Sequence, residues 1–153
     1  MAGRDARSNW NSQEQALLDE ALLLAVRAHR GQKDKGGAPY ILHPLRVMLS
    51  LGEPSEMVAA VLHDAIEDGN VSAEQLRGKG FPEEVVRALD ALTRRPGEDY
   101  GEYLVRVKAN PLALRVKVAD LRDNLDESRI PDRTEEDLRR WEKYRRALQE
   151  LEC

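Results

Sequence analysis

Apolar residues recur at helical spacing in most segments of this 153-residue chain, and no segment shows the alternation that a half-buried strand requires. Strong helix-start signals separate these segments. At three places, a serine or threonine stands three positions before a residue that can complete a capping box with it. These pairs are Ser12–Gln15, Ser72–Gln75 and Thr134–Asp137. Asn110 and Pro111 form a fourth signal, a capping residue followed by a proline at the first helical position. The sequence therefore predicts an all-α protein, a compact single-domain bundle of about eight helices.

The length and the cysteine content set the expected domain organisation. A chain of 153 residues suits one domain with a core of its own. Residues 1–11 are polar and unpatterned, so we expect a loose N-terminal tail, and we expect residues 12–153 to form the helical domain. The only cysteine is Cys153, which excludes an internal disulfide framework and a cysteine-based metal site.

Charge and apolar content narrow the class of partner. The longest apolar runs, such as Ala21–Val26, are far shorter than the roughly 20 residues of a membrane span. The N-terminus lacks the apolar segment of a secretory signal, so a cytoplasmic location is expected. A formal net charge of −4 argues against a general nucleic-acid binder. The oligomeric state stays open, because Leu148 and Leu151 on the last predicted helix fit either a core or an interface.

One segment near the middle of the chain begins as an apolar helix and ends in side chains that bind metals and protons. It contains His63 and Asp64, followed four residues later by Glu67 and Asp68. On a continuing helix each pair shares a face, and Gly69 is suited to end that helix. Three carboxylates crowded in one turn repel one another unless a positive charge lies among them. A divalent metal supplies such a charge, and we expect other segments to provide its remaining ligands.

Two further segments contain candidate ligands. His43 precedes Pro44 at a predicted helix start, and Asp120 lies near the edge of the buried face of a later helix. Each has an ordinary explanation by itself, His43 as a capping or core histidine and Asp120 as an ion-pair partner. Asp123, in the same helix, is interpreted as a surface acid. Taken jointly, two histidines and two aspartates form a ligand set that suits Mn²⁺, Fe²⁺ or Zn²⁺ rather than a thiolate site.

The order of these residues and their local sequences resemble a known family. The matching segments are Ala28-His-Arg-Gly-Gln32, Gly37-Ala-Pro-Tyr-Ile-Leu-His-Pro44, Leu62-His-Asp-Ala-Ile-Glu-Asp68 and Lys117-Val-Ala-Asp-Leu-Arg-Asp-Asn124. They are similar to the HD phosphohydrolase superfamily and, within it, to the hydrolase domain of RelA/SpoT-type alarmone enzymes and to the small alarmone hydrolases. The resemblance covers about residues 14–150. It implies a helical HD-domain fold and removal of the 3′-pyrophosphate from ppGpp or a related alarmone, the nucleotides of the stringent response.

The resemblance also implies roles for individual residues. It implies that the metal ligands are His43, His63, Asp64 and Asp120, and that the metal is typically Mn²⁺. It implies that Glu67 and Asp68 activate the attacking water and that Asn124 contacts the substrate near the metal. The chemistry agrees, because a divalent ion lowers the pKa of a bound water and polarises a phosphoryl oxygen, and a carboxylate can accept the proton of that water.

Two positions depart from the family pattern, both on the substrate side. Asp34 stands where the alarmone hydrolases usually have an arginine that stacks on the guanine. The last motif reads Ala-Asp-Leu-Arg-Asp-Asn in place of the more usual Ala-Asp-Arg-Leu-His-Asn. The alternatives are therefore an HD phosphatase that acts on another nucleotide, such as a nucleoside monophosphate or NADPH, and a nucleotide-sensing module that binds without turnover.

A local excess of positive charge indicates where phosphates could bind. The candidate phosphate contacts are Lys33, Lys35, Arg46 and Lys117. The alternative for each of them is an ordinary surface charge. Tyr40 is a candidate to pack on a base or ribose, but a position in the core is the favoured interpretation.

Overall fold

Eight α-helices and one short 3₁₀ helix form the part of the chain that the computed structural model describes, which comprises residues 9–66 and 71–153. The α-helices are α1 (Ser12–His29), α2 (Leu42–Leu49), α3 (Pro54–Leu62), α4 (Ala73–Gly78), α5 (Glu83–Leu92), α6 (Tyr100–Ala109), α7 (Pro111–Asn124) and α8 (Glu135–Glu152), and the 3₁₀ helix spans Glu127–Arg129. Extended pairing within these residues is limited to one isolated bridge between Lys33 and Pro39. None of the described helices is both long and apolar enough to cross a membrane. The prediction of an all-α fold is confirmed.

Three of the four predicted helix-start signals are confirmed. They are Ser72–Gln75, Thr134–Asp137 and Asn110–Pro111. The first helix begins differently, because the side chain of Asn11 accepts a hydrogen bond from the backbone N–H of Glu14 at 2.8 Å and the Glu14 carboxylate accepts one from the backbone N–H of Asn11 at 3.1 Å. The predicted box of Ser12 and Gln15 is therefore wrong by one residue. Asparagine caps a helix at least as well as serine, and Glu14 completes its box.

Helix α3 ends at Leu62, so the prediction that it continues to Gly69 is wrong. The backbone N–H of His63 donates to the carbonyl of Ala60, only three residues back, at 3.3 Å. Hydrogen bonds of this spacing tighten the chain into turns and end the α-helical ladder. Residues 67–70, which include both acids predicted to follow on that helix face, lie outside the described part of the chain.

Helix α3 is the central element of the core. Every residue of α3 except Ser55 is buried, and the helix packs against α1, α2, α5 and α7. Burying an aliphatic side chain such as that of Leu62 contributes about 1.5–3 kcal/mol. Because neighbouring helices fix α3 on several sides, the residues that follow Leu62 begin from a well-defined point between α2 and α7.

The apolar side of α8 belongs to the core of the same chain. Trp141 and Leu151 are buried, and Leu148 packs against the core cluster. Leu138, near the start of the helix, is 50% exposed and does not take part. The structure therefore supports the core interpretation of Leu148 and Leu151 over the interface interpretation.

Candidate metal centre

Three helices bring the predicted metal ligands together. His43 lies in the first turn of α2, His63 and Asp64 follow the end of α3, and Asp120 lies in α7. These helices pack against one another in pairs, so residues that are far apart in sequence meet at one point. His43, His63 and Asp120 are all buried, and each offers one ligand atom within 4.8 Å of the other two. We refer to these three residues with Asp64 as the ligand cluster.

The donor atoms of the ligand cluster converge at distances that fit a single ion. Oδ1 of Asp120 lies 2.8 Å from Nε2 of His43 and 3.2 Å from Nε2 of His63. Oδ2 of Asp64 lies 3.2 Å from Nε2 of His63 and 3.7 Å from Nε2 of His43. Adjacent ligands bound about 2.1 Å from an octahedral ion are about 3 Å apart, so these donors need only small shifts to hold one. The residues present therefore fit a divalent metal.

Both histidine rings direct the same nitrogen into the ligand cluster. Nδ1 of His63 lies 2.5 Å from the carbonyl oxygen of Ala60, to which its N–H donates. Nδ1 of His43 lies 2.6 Å from Oδ2 of Asp123, to which its N–H donates. In metal sites, a hydrogen bond from the far ring nitrogen fixes the tautomer and the orientation of the ring. Both rings are thus set to offer Nε2 to an ion.

Burial and the neighbouring charges act in opposite directions on the pKa values of the ligand cluster when no metal is bound. Burial by itself would lower the pKa of His63, but the charges of Asp64 and Asp120 outweigh it and raise that pKa to about 10. Burial also acts downward on His43, but hydrogen bonds to Asp120 and Asp123 raise its pKa above the ordinary value. Burial would raise the pKa of Asp120, but Lys117 and His63 hold it well below its usual range. A metal ion would replace the histidine protons in this balance.

Three further side chains fix the carboxylates of the ligand cluster. The ammonium of Lys117 donates to Oδ2 of Asp120 at 3.0 Å, and the side-chain amide of Asn124 donates to Oδ1 of Asp120 at 3.1 Å. The hydroxyl of Tyr40 donates to Oδ2 of Asp64 at 2.6 Å. Tyr40 is only partly buried, so its interpretation as a core tyrosine is wrong. The alternative that Lys117 is an ordinary surface charge is also wrong, because its side chain is 14% exposed and is paired with Asp120.

The interpretation of Asp123 as a surface acid is wrong. Its side chain is 12% exposed, and the guanidinium of Arg46 donates to both of its carboxylate oxygens, at 2.8 and 3.1 Å. Arg129 donates to the backbone carbonyl of Asp123 and lies 3.5 Å from its carboxylate. Burial would raise the pKa of Asp123, but hydrogen bonds from His43 and Arg46 lower it to about 2. The sequence shows only that Asp123 stands three residues after Asp120, which puts both on one side of α7, and this spacing does not reveal the contact with His43.

A cavity of about 480 Å³ opens beside the ligand cluster. Its lining includes all the residues predicted to contact substrate, which are Lys33, Lys35, Tyr40, Arg46, Lys117 and Asn124. Arg46 and Lys117 are each paired with a carboxylate. No ion pair among the described residues involves Lys33 or Lys35, so both ammonium groups are available to an anionic ligand. The volume falls within the range of small-molecule pockets, about 300–1,000 Å³.

The cavity is also lined by residues that the sequence did not single out as part of a site. They are Arg129, Ile130, Arg140, Trp141 and Tyr144. Arg140 and Tyr144 are four residues apart on α8, a spacing that puts both on one side of the helix. The apolar periodicity of α8 indicates a core face, and this signal hides the second role of the helix as a cavity wall.

Asp34 holds the loop that forms one side of the cavity. Its Oδ1 accepts hydrogen bonds from the backbone N–H groups of Gly36 and Ala38, both at 2.9 Å. This use of an aspartate side chain is typical of turns. The loop also packs closely against the 3₁₀ helix, since a Cβ atom on Gly36 would lie 2.5 Å from the carbonyl oxygen of Arg129. The Asp34 carboxylate is therefore engaged by its own loop.

Comparisons with known proteins agree with this architecture. A family model described as HD domain matches residues 21–100, just over half of the chain. A GTP pyrophosphokinase from Streptomyces coelicolor is 33% identical over 148 residues, which cover 88% of this chain and 16% of that protein. A guanosine-3′,5′-bis(diphosphate) 3′-pyrophosphohydrolase from Aquifex aeolicus is 30% identical over 120 residues, which cover 71% of this chain and 17% of that protein. The chain thus spans about a sixth of the length of these relatives.

A solved structure has a similar fold. It belongs to a protein described as a metazoan ortholog of SpoT that hydrolyzes ppGpp. The two structures match with a TM-score of 0.73, and the match covers 94% of this chain and 88% of the other. At 22% sequence identity, this likeness concerns the fold alone.

Proposed function

This chain belongs to the HD domain family, and we propose that it is a metal-dependent phosphohydrolase that removes the 3′-pyrophosphate from ppGpp or a related alarmone. The proposal rests above all on the convergence of His43, His63 and Asp120, with Asp64 beside them, next to a cavity that contains two available ammonium groups. Buried imidazole and carboxylate donors at this spacing suit a divalent ion. The names of the relatives suggest the alarmone as substrate.

The proposed ion is Mn²⁺, held by His43, His63, Asp64 and Asp120. A mixed imidazole and carboxylate set suits Mn²⁺, Fe²⁺ and Zn²⁺, and the family resemblance favours the first of these. When bound, the ion would lower the pKa of a water ligand and polarise a phosphoryl oxygen. Protein that has been freed of metal with a chelator should regain most activity when Mn²⁺ is restored, and higher activity with Zn²⁺ would contradict this choice.

The described residues around the ligand cluster divide into two groups by their contacts. Lys117 and Asn124 hold Asp120 in place, and Asn124 also lines the cavity, where it can reach a bound nucleotide. Lys33 and Lys35 lie on the loop that Asp34 fixes, and they are proposed to bind the phosphate groups of the substrate. Ammonium groups are suited to this because a phosphate contact with a charged donor is stronger than one with a neutral donor.

Glu67 and Asp68 are proposed to orient the attacking water and to accept its proton. They lie outside the described residues, so this part rests on their place shortly after Asp64 in the sequence and on the chemistry of carboxylate bases. In the reaction, the water oxygen bonds to the phosphorus attached to ribose O3′, the bond from that phosphorus to O3′ breaks, and O3′ takes up a proton. The products are pyrophosphate and GDP.

Incubation of the purified protein with ppGpp and Mn²⁺ tests the proposal. We expect pyrophosphate release that stops when a chelator is added. The matched variant is Glu67→Gln, which should bind ppGpp but turn it over about 10²–10⁴ times more slowly, the usual contribution of a general base. If the wild type and Glu67→Gln bound nucleotide equally and neither turned it over, the chain would be a sensing module instead.

Hydrolysis of another nucleotide is a second candidate, and Asp34 is the observation that favours it. Its carboxylate is engaged by the backbone of its own loop, at the position where related hydrolases use an arginine to stack on guanine. A panel of nucleotides that includes ppGpp, nucleoside monophosphates and NADPH, assayed with Mn²⁺, separates the two. No turnover of ppGpp together with cleavage of another member of the panel would establish this second candidate.

A further inference from the structure

We propose that Asp123 is a positioning residue for the metal, and that it acts by holding the His43 ring with Nε2 directed at the ion. This inference rests on the metal site of the proposed function and adds a residue to it. In the alarmone hydrolases that the chain resembles, the corresponding motif more often has histidine at this position, where this chain has aspartate.

The contact between His43 and Asp123 is short, shielded from solvent and formed between two different helices. Nδ1 of His43 lies 2.6 Å from Oδ2 of Asp123, and the two side chains are 5% and 12% exposed. His43 lies at the start of α2, and Asp123 lies in the last turn of α7. Nε2 of the same ring lies 2.8 Å from Asp120, inside the ligand cluster. The ring is therefore held at one nitrogen by Asp123 and offered to the ion at the other.

Asp123 is itself held in one orientation. The guanidinium of Arg46 donates from Nε and Nη2 to the two carboxylate oxygens, a two-point contact that leaves the carboxylate little freedom to rotate. Arg129 approaches from the 3₁₀ helix and bonds to the backbone carbonyl of Asp123. Two guanidinium groups thus compensate the charge of Asp123, which explains how a largely buried carboxylate can stand so close to the metal ligands.

The two metal-binding histidines are held by different means, and this makes the inference testable. His63 donates from Nδ1 to the backbone carbonyl of Ala60, which no side-chain substitution removes. His43 depends on a side chain from another helix. Replacing Asp123 should therefore release one histidine and leave the other in place.

The same geometry gives Arg46 a role beside the predicted one. Arg46 lines the cavity, but its guanidinium is already bonded at two points to Asp123. A phosphate contact would have to compete with that pair. The inference therefore gives Arg46 a role in the metal site, through Asp123 and His43, besides its place in the cavity lining.

Three variants of the full chain test the inference by their affinity for Mn²⁺. Asp123→Ala removes the contact, and Asp123→Asn keeps the shape and an acceptor oxygen but loses the charge. Asp126→Asn is the matched control, because Asp126 also pairs with Arg129, at 3.2 Å, but is 50% exposed and makes no hydrogen bond to a histidine among the described residues. The Mn²⁺ dissociation constant is measured from the electron paramagnetic resonance signal of the free ion, and the melting temperature of each metal-free protein is recorded in parallel.

We expect Asp123→Ala to bind Mn²⁺ about 10- to 100-fold more weakly, the usual effect of losing such a partner of a metal ligand. Asp123→Asn should show a smaller loss, and the control should match the wild type. With Co²⁺ in the site, the visible absorption spectrum of Asp123→Ala should also change, since the spectrum reports ligand geometry. If Asp123→Ala fails to fold, the Mn²⁺ affinity and the Co²⁺ spectrum of Asp123→Asn test the inference.

Unchanged Mn²⁺ affinity and an unchanged Co²⁺ spectrum in both Asp123 variants would overturn the inference, even if their melting temperatures fell. Equal losses in Asp126→Asn would overturn it as well, because the effect would then come from Arg129 or from general charge. The readout does not depend on substrate. A wild type that binds Mn²⁺ but fails to hydrolyse ppGpp would refute the proposed reaction and leave this inference intact, whereas a wild type that binds no divalent ion would refute both.

Discussion

Binding of Mn²⁺ is expected to release protons and to become tighter as the pH rises. An imidazole must give up the proton on the coordinating nitrogen before it can bind a metal. Against the effect of burial, the charges of Asp64 and Asp120 hold the pKa of His63 at about 10 when no metal is bound. The pKa of His43 is raised as well, by its hydrogen bonds to Asp120 and Asp123, again against burial. His63 is therefore protonated near neutral pH, and the raised pKa of His43 favours its protonated form as well.

The cost of removing the His63 proton sets the size of the effect. With a pKa of about 10, His63 is neutral about 1% of the time at pH 8. At pH 8, two units below this pKa, reaching the neutral form costs about 2.7 kcal/mol, since each pH unit corresponds to about 1.4 kcal/mol. For each proton released, the apparent affinity for Mn²⁺ becomes about tenfold tighter per pH unit. Release of one proton from each of two histidines therefore gives an upper limit of about 100-fold per pH unit.

Isothermal titration calorimetry measures the proton count directly. Mn²⁺ is titrated into metal-free protein in several buffers of different ionisation enthalpy at about pH 7, and the dependence of the heat on that enthalpy gives the number of protons released. We expect between one and two, and one fewer for His63→Gln. Release of no protons, with an affinity that does not change between about pH 6.5 and pH 9, would refute the reasoning from the histidine environments.

Three further outcomes are expected. The pKa of His63 is raised from 6.5 to about 10, so its contribution to stability is complete below pH 6.5 and is lost as the pH rises through about 10. The melting temperature of the metal-free protein should therefore fall between these pH values, and a melting temperature that does not change with pH would contradict this. Replacing Lys33 and Lys35 together by alanine should raise KM for ppGpp about tenfold or more without changing Mn²⁺ affinity, and an unchanged KM would exclude them as phosphate contacts. Gly36→Ala should raise KM because the added Cβ meets a backbone carbonyl oxygen at 2.5 Å, whereas Gly52→Ala, whose Cβ meets nothing within 4 Å, should match the wild type in the same assay.

The helices could be predicted because their signals are local. A capping residue, a proline or a helical repeat of apolar positions is readable within a few residues, and Ser72, Asn110 and Thr134 all cap helices as expected. The end of α3 could not be predicted in this way. Its last turn is tightened by bonds of three-residue spacing next to a cluster of buried charges, and that cluster forms only when α2 and α7 pack against it.

The ligand cluster could be proposed from sequence because its chemistry is unusual, whereas its supporting residues could not be recognised singly. Two histidines and two aspartates in a helical chain point to a metal even before their distances are known. Asp123 and Arg46 have ordinary residue types and ordinary neighbours in sequence. Their roles come from contacts between α2 and α7, such as the 2.6 Å contact of Asp123 with His43, and no local pattern records such contacts.

The residue types in the sequence say less about substrate choice than about the metal ligands. Lys33 and Lys35 line the cavity as expected, and the sequence shows that Asp34 departs from the family pattern. The structure adds the reason why this departure matters, because the carboxylate is used within the loop. It also shows that Arg140 and Tyr144 of α8 line the cavity, whereas the apolar repeat of this helix indicates only a core face.

Phosphorus nuclear magnetic resonance of ppGpp incubated with the Mn²⁺-loaded protein tests the central claim most directly, since it identifies both products at once. We predict that the ppGpp signals are replaced by those of GDP and free pyrophosphate, that a chelator stops the conversion, and that Mn²⁺ restores it. Asp120→Asn replaces a buried carboxylate of the ligand cluster and should abolish the conversion of ppGpp. Persistence of intact ppGpp and of every other nucleotide offered, in a sample shown to contain bound Mn²⁺, would contradict the assignment of this chain as a phosphohydrolase.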